Sequence, residues 1–248
     1  MDDMGVSIVF PAFNEAENIG TSIRRAVSVM ECLERDFEVI VVDDGSSDPT
    51  RLIVDEVAAE DVRVRCIRHP RNRGYGAALK TGILAARKEL IFFTDADLQF
   101  DLGEIDRLLR HSDRYDIIAG YRARRSDHLG RRANAWAWGR LVGLLFDLEV
   151  RDIDCAFKVF HRRVFDRVPI TSVGAFVNSE ILIRARAEGF SLKQLPVAHY
   201  PRVAGTQTGA NPRVILKAFS ELHRLHGELR QLSLAESPPS DAPSRESH

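Results

Sequence analysis

Four short apolar runs in the first hundred residues, 7–10, 37–42, 62–67 and 90–93, break off abruptly into acids, amides or glycines. Each run is long enough for a buried strand and too short for a helix. The clusters that follow are Pro11-Ala12-Phe13-Asn14-Glu15, Asp43-Asp44-Gly45-Ser46-Ser47-Asp48, Asn72-Arg73-Gly74-Tyr75-Gly76 and Asp95-Ala96-Asp97-Leu98-Gln99. Segments of helical period separate the runs: one from the capping residue Asn14 to about Glu34, a second before Val62, and a third over 77–88. This alternation predicts an α/β fold, with a doubly wound, mostly parallel sheet and helices on both faces. In such sheets ligands bind beyond the carboxyl ends of the strands, where all four clusters fall.

The second half is less regular. A helix over 102–111 and a strand over 117–120 are followed by a basic stretch, Arg122, Arg124, Arg125, Arg131 and Arg132. Next come a segment apolar nearly all round, 135–146, and the cluster Arg151-Asp152-Ile153-Asp154-Cys155-Ala156-Phe157-Lys158. A helix containing Glu180 and a strand over 192–198 are expected after it. Residues 214–232 place Ile215, Phe219, Leu222, Leu225, Leu229 and Leu232 on one helical stripe. The predicted organisation is a catalytic domain over 1–210, an amphipathic C-terminal helix over 211–233, and a Pro/Ser-rich, disordered tail over 234–248.

Bulk charge narrows the function. The 35 basic and 36 acidic residues nearly cancel, so nothing suggests a nucleic-acid partner. Cys32, Cys66 and Cys155 are odd in number and match no metal spacing, which fits reduced thiols in a cytoplasmic protein. The acidic start, Asp2 and Asp3, runs straight into a strand and is unlike a secretory leader. No apolar stretch reaches the roughly 18–20 residues needed to span a bilayer.

Asp95 and Asp97 stand on same-side positions just past a buried strand, so together they can hold a hard divalent cation. Mg²⁺ takes one or two carboxylates and completes its shell with water and substrate phosphates. Gln99 continues the alternation with a neutral oxygen or an amide donor. Asp43 and Asp44 can accept hydrogen bonds from a base or ribose, or can serve as cap and turn acids. Glu15 would repel phosphate, so its loop faces the nucleoside; it is not a glycine-rich phosphate loop. Gly74 and Gly76 can cradle a ligand or open a helix. His199 can be a late metal ligand or structural, and Asn178 and Glu180 can cap a helix or line an acceptor pocket.

Taken in order, these segments resemble the inverting nucleotide-sugar glycosyltransferases of GT-A fold. The Asp-Ala-Asp-Leu-Gln form is similar to the polyprenyl-phosphate branch, typified by dolichyl-phosphate mannose and glucose synthases. The resemblance continues through Gly120-Tyr121-Arg122, Arg151-Asp152 with Phe157, and His199-Tyr200-Pro201-Arg202 with Gly205. It implies that Pro11, Phe13, Glu15, Asp43, Asp44, Asp95 and Ala96 bind the donor nucleotide. It further implies that Asp95, Asp97 and Gln99 hold Mg²⁺ or Mn²⁺ and the diphosphate. Arg122 and Arg202 would reach phosphates, Asp152 would be the acceptor-side acid, and Arg131 and Arg132 would meet an acceptor phosphate. The chain departs from the pattern at Ala156, where glycine is common, and it lacks the C-terminal membrane helices of many relatives.

The expected activity is metal-dependent transfer of a sugar, with inversion, from a nucleotide diphosphate donor to polyprenyl phosphate at the cytoplasmic membrane face. A phosphate acceptor is already mostly ionised near neutrality, its second pKa being about 6, and needs positioning by arginines more than a base. A hydroxyl acceptor on a sugar or protein would need a general base, Asp152 or Asp154. A nucleotide-sugar-binding partner without turnover is the non-enzymatic alternative. Contact with lipid is expected through an interfacial helix over 131–146 or through a small membrane-spanning partner protein.

Overall fold

The computed structural model describes residues 4–123, 129–201 and 212–236. Among them, seven strands form one sheet. The first half alternates as the apolar runs predict: β1 (Val6–Ala12), α1 (Ile19–Cys32), β2 (Phe37–Asp43), α2 (Thr50–Glu60), β3 (Val64–Arg68), α3 (Tyr75–Ala85) and β4 (Leu90–Thr94). A 3₁₀ turn (Leu102–Glu104) leads into α4 (Ile105–Leu109) and β5 (Ile117–Arg122). Then come α5 (Leu129–Phe146), β6 (Phe157–His161), α6 (Val164–Arg167), α7 (Val177–Ala187), β7 (Leu192–Val197) and α8 (Pro212–Glu236).

The sheet order is β3-β2-β1-β4-β6-β5-β7. All neighbours are parallel except β6, which runs antiparallel to both β4 and β5. The sequence reading has no strand at 157–161, and this is its main correction. A central strand is marked by apolar residues on both faces, and Lys158 interrupts that signal. What seats β6 is aromatic packing across β4: Phe157 meets Phe92 edge-on at 4.7 Å, and Phe160 stacks on Phe93 at 5.6 Å.

Because side chains alternate along a strand, each strand feeds two cores. Ile8, Phe10, Val39, Val41 and Phe92 pack beneath α1 and α2 with Ile19, Ile23 and Val54. Val9, Ile40, Ile91 and Phe93 face the other way, towards Leu79 of α3, Ile181 of α7 and Leu222 and Leu225 of α8. The mid-section of α8 is therefore docked on the domain, which accounts for part of its apolar stripe. The side chains of Ile215 and Leu232, and the tail from 237, lie outside what is described. No helix among the described residues is long and apolar enough to cross a membrane.

Two boundaries differ from expectation. Val62 is 98% exposed, and β3 begins at Val64. Asn14 does not cap α1: it adopts a left-handed φ of 55° and is spent joining two loops, while Asn18 occupies the cap position.

Candidate active site

The carboxyl ends of β1, β2, β4 and β5 share one edge of the sheet, and each sequence cluster is delivered there. The loop after β1 is sewn to the loop after β2. Asn14 donates its N–H to Ser46 Oγ (2.9 Å), and its Oδ1 accepts from the Ser47 amide (2.8 Å). The Glu15 N–H reaches Thr50 Oγ1 (2.8 Å), and the Ala16 N–H reaches Asp48 (3.1 Å). This holds Phe13 half out of the surface and Glu15 partly exposed, while Pro11 stays buried in β1. Asp43 turns back on its own loop, accepting from the Ser46 N–H at 2.9 Å.

Asp44 is drawn inward. His69 Nδ1 lies 2.6 Å from its carboxylate, and the amides of Arg73 (2.9 Å) and Gly74 (2.8 Å) donate to it. It thus organises the turn that opens α3. That turn needs glycine for space: a Cβ on Gly74 would lie 2.4 Å from the Val173 carbonyl oxygen, and one on Gly76 would lie 2.5 Å from that of Ser172. The Gly76 N–H in turn donates to Val173 O at 3.0 Å.

Asp95, Ala96 and Asp97 follow β4 directly. Ser22 of α1 donates to the Ala96 carbonyl at 2.8 Å, pinning the backbone between the two acids. Leu98 is left-handed (φ 60°), a strained conformation for a branched side chain. It lets the Gln99 N–H bond to Asp97 Oδ1 at 3.1 Å. Gln99 then pairs with a segment a hundred residues away: its O accepts from the Tyr200 N–H (2.8 Å), and its side-chain amide donates to Tyr200 O (3.1 Å). Phe100 and His199 form a β-bridge with their rings 5.3 Å apart. The His199-Tyr200-Pro201 segment is thereby placed beside the two acids; Arg202, Gly205, Arg124 and Arg125 lie outside the described residues.

At the end of β5, Arg122 and Asp152 form a bidentate pair that is almost fully enclosed, with Nε to Oδ2 at 2.6 Å and Nη2 to Oδ1 at 2.8 Å. Beside it, the Arg151 guanidinium lies 4.9 Å over the Tyr121 ring and donates to its hydroxyl. Ala156 is buried and has no positive φ, so alanine replaces the usual glycine without strain. Arg131 and Arg132 sit in the first turn of α5, and their side chains are outside what is described.

The contacts of Glu180 in α7 point inward. Glu180 accepts from the Thr171 amide and hydroxyl, the Ser172 amide and Arg184 Nε, so it anchors the 171–173 loop from inside. Burial pushes its carboxyl up, but the Thr171 and Ser172 donors outweigh it and hold the group below the ordinary range. Asn178 faces Tyr75, a site residue that the sequence reading passes over. Burial, and then the charge of Asp95, push the Tyr75 hydroxyl well above its ordinary range. Ser22 was also missed, although a polar residue on the buried face of Ile19, Ile23, Ala26 and Met30 is a readable signal.

Whether a divalent cation fits can be judged from the donors. No cluster of three metal-ligating side chains occurs among the described residues. Two carboxylates at a strand end suit Mg²⁺ or Mn²⁺ completed by phosphates and water. Tyr75 OH, Thr94 Oγ1 and Asn178 Oδ1 are buried here without a well-formed hydrogen bond among the described residues, as expected where ligand or water completes a site. The residues fit the cation.

The family model for Glycosyl transferase family 2 matches residues 7–170. Glycosyltransferase AglD of Haloferax volcanii is 36% identical over 207 residues, 79% of this chain and 33% of that protein. Dodecaprenyl-phosphate galacturonate synthase of Rhizobium johnstonii is 30% identical over 174 residues, 68% of this chain and 52% of that protein. The chain thus spans a third to a half of the length of these curated relatives. Among solved structures, mannosyl-3-phosphoglycerate synthase from Rubrobacter xylanophilus superposes with a TM-score of 0.73 at 18% identity, covering 93% of this chain and 75% of that one. Glucosyl-3-phosphoglycerate synthase from Mycobacterium tuberculosis, in complex with Mg²⁺ and UDP, gives a TM-score of 0.65 at 19% identity, over 96% of this chain and 81% of that one. The chain shares its GT-A-like α/β architecture with these two solved structures.

Proposed function

Because the chain belongs to glycosyl transferase family 2, we propose that it moves a sugar from a nucleotide diphosphate donor onto polyprenyl phosphate, with inversion, at a membrane face. The observation that carries the acceptor class is the Arg122–Asp152 pair. Both Asp152 oxygens accept from one guanidinium, so the acid nearest the acceptor is engaged as an ion pair rather than presented as a base. That arrangement suits a nucleophile arriving already ionised, and a phosphate monoester does so near neutrality, with its second pKa at about 6. A relative named as a dodecaprenyl-phosphate sugar synthase is consistent with it.

In this reading the loops after β1 and β2 seat the nucleoside, through Pro11, Phe13, Glu15 and Asp43, with Asp44 holding the α3 turn in place. Asp95 and Asp97 would hold Mg²⁺ or Mn²⁺, which when bound would supply neutralisation of charge on the leaving diphosphate. Gln99 locks the 199–201 segment, and the role of meeting the phosphates is assigned to Arg202, the next residue in the sequence. A phosphate oxygen of the acceptor forms the new bond to the anomeric carbon. The bond to the nucleoside diphosphate breaks with its electron pair leaving on the diphosphate. Arg122, Arg131 and Arg132 position the acceptor phosphate. A panel of nucleotide sugars offered with polyprenyl phosphate, with products read by mass spectrometry, is expected to yield one polyprenyl-phosphate sugar. Transfer to a hydroxyl acceptor alone, or nucleotide binding without donor consumption, would overturn this reading.

Lipid contact is assigned to the outer face of α5. Trp136 is 69% and Leu144 76% exposed on that face, with Arg140 between them. Trp138, by contrast, packs edge-on against Phe176 and Phe219 and bonds Ser179. Leu216 and Phe219 of α8 are also exposed apolar side chains. Interfacial helices combine apolar burial with attraction to anionic headgroups, and salt screens the second term. The protein is therefore expected to co-sediment with anionic vesicles. Trp136→Ser with Leu144→Ser should weaken this by about tenfold or more, since burying each side chain contributes about 1.5–3 kcal/mol. Binding unaffected by either the substitutions or high salt would place the membrane contact elsewhere.

A further inference from the structure

Lys158 stands near the middle of β6 and is wholly enclosed, at 0% exposure. Across the strand pair its partner is Phe93 of β4, two residues before Asp95, and its ammonium lies 5.7 Å from that ring. Lysine is almost never fully buried unless its charge is satisfied. An apolar residue of the same volume commonly serves core stability as well or better. A lysine here therefore requires a reason beyond packing.

Its hydrogen bonds supply one. Nζ donates to the carbonyls of Ile153 (3.1 Å) and Cys155. These two carbonyls flank Asp154 in the turn that carries Asp152. Burial pushes the ammonium towards its neutral form, while Cys155, Asp152 and Asp154 favour the charge and Arg122 opposes it. The Cys155 thiol is itself pushed up to about 12 by burial. A single buried donor group thus sets the direction of the peptides that follow Asp152, and with them the point from which its carboxylate leaves the backbone towards Arg122.

We propose that Lys158 is a positioning residue for sugar transfer: by gripping the 153 and 155 carbonyls it holds Asp152 in bidentate register with Arg122 at the acceptor edge. This rests on the reading of Asp152 and Arg122 as acceptor-side residues. Misplacement of a site group by about 1 Å can cost about a hundredfold in rate, which sets the expected size of the effect.

The test is a double-mutant cycle of Lys158→Met and Asp152→Asn, with kcat and acceptor KM read separately. Nucleoside diphosphate affinity is measured alongside. Rates are taken with whichever acceptor the panel identifies, so failure of polyprenyl phosphate as acceptor does not disable the cycle. Lys158→Met is expected to bind nucleoside diphosphate within about threefold of wild type and to lose about a hundredfold in kcat/KM for acceptor. Because it acts through Asp152, it should add no further loss in the Asp152→Asn background. Should Lys158→Met not fold, Lys158→Gln, whose uncharged amide ends one bond short of the Nζ position, takes its place in the same cycle with a smaller expected loss. Wild-type rates in the folded Lys158 variant, or losses that multiply in the double variant, overturn the positioning role alone. Wild-type rates in Asp152→Asn beside a damaged Lys158 variant overturn the acceptor-side reading together with the route through Asp152.

Discussion

Asp97→Asn is expected to lower turnover by about three orders of magnitude while leaving the fold intact. Its side chain is buried at the end of β4, and Oδ1 accepts the Gln99 N–H. An asparagine Oδ1 can keep that bond, so the left-handed turn at Leu98 and the pairing of Gln99 with Tyr200 should survive. What is lost is one negative charge of the pair proposed to hold the cation. Lewis-acid stabilisation of a leaving phosphate is worth several kcal/mol, and each 1.36 kcal/mol is a factor of ten in rate. Asp95→Asn should behave alike. The measurement is steady-state turnover together with Mn²⁺ affinity by electron paramagnetic resonance. Unchanged Mn²⁺ affinity, or full activity of either variant in excess chelator, would remove Asp95 and Asp97 from the metal role.

Glu180→Gln should be the most destabilising conservative change in the described structure, costing about 3–5 kcal/mol, the usual penalty for breaking a buried ion pair. The carboxylate is enclosed and takes donors from Thr171, Ser172 and Arg184. A glutamine must turn its NH₂ towards at least one of those donors. Arg184 also reaches Glu228 of α8 at 2.7 Å, so the C-terminal helix loosens with it. For a chain of this size, 1 kcal/mol corresponds to about 2–4 °C in Tm, so a fall of at least about 6 °C is expected at pH 7. The pH dependence has a definite sign. The folded-state pKa lies below the ordinary 4.5, so the stabilisation is fully present above that value and is lost as pH falls through the lower folded value. Wild type and Glu180→Gln should therefore converge in acid, with the difference reaching its full size by about pH 5 and staying constant above it. A difference in Tm below 2 °C at pH 7, or one that grows on acidification, would show that Glu180 is not the anchor of the 171–173 loop.

The order of strands and helices in the first hundred residues was legible from the chain because it depends on local rules. Apolar runs of strand length, helical segments between them and polar breaks at their ends fix which atoms are buried and where a ligand edge forms. Asp95 and Asp97 needed no tertiary information, since adjacency past a buried strand puts them at that edge. The segments in order were also enough to identify the family.

Tertiary structure decided whatever depends on chain crossings. The pattern at 157–161 could not reveal a central strand, because its lysine is satisfied by carbonyls that only the folded turn brings near. Asn14 reads as a cap until the loop after β2 arrives to take both its amide and its side chain. Asp44 reads equally as a ligand-facing acid or a turn acid, and only the fold brings His69 and the amides of Arg73 and Gly74 onto it. Glu180 reads as lining or capping, and only the packed 171–173 loop shows its oxygens occupied. Periodicity records which face of an element is buried. It carries no record of which distant donor meets a given acceptor, because those hydrogen bonds are set by where the chain returns, not by the residues on either side.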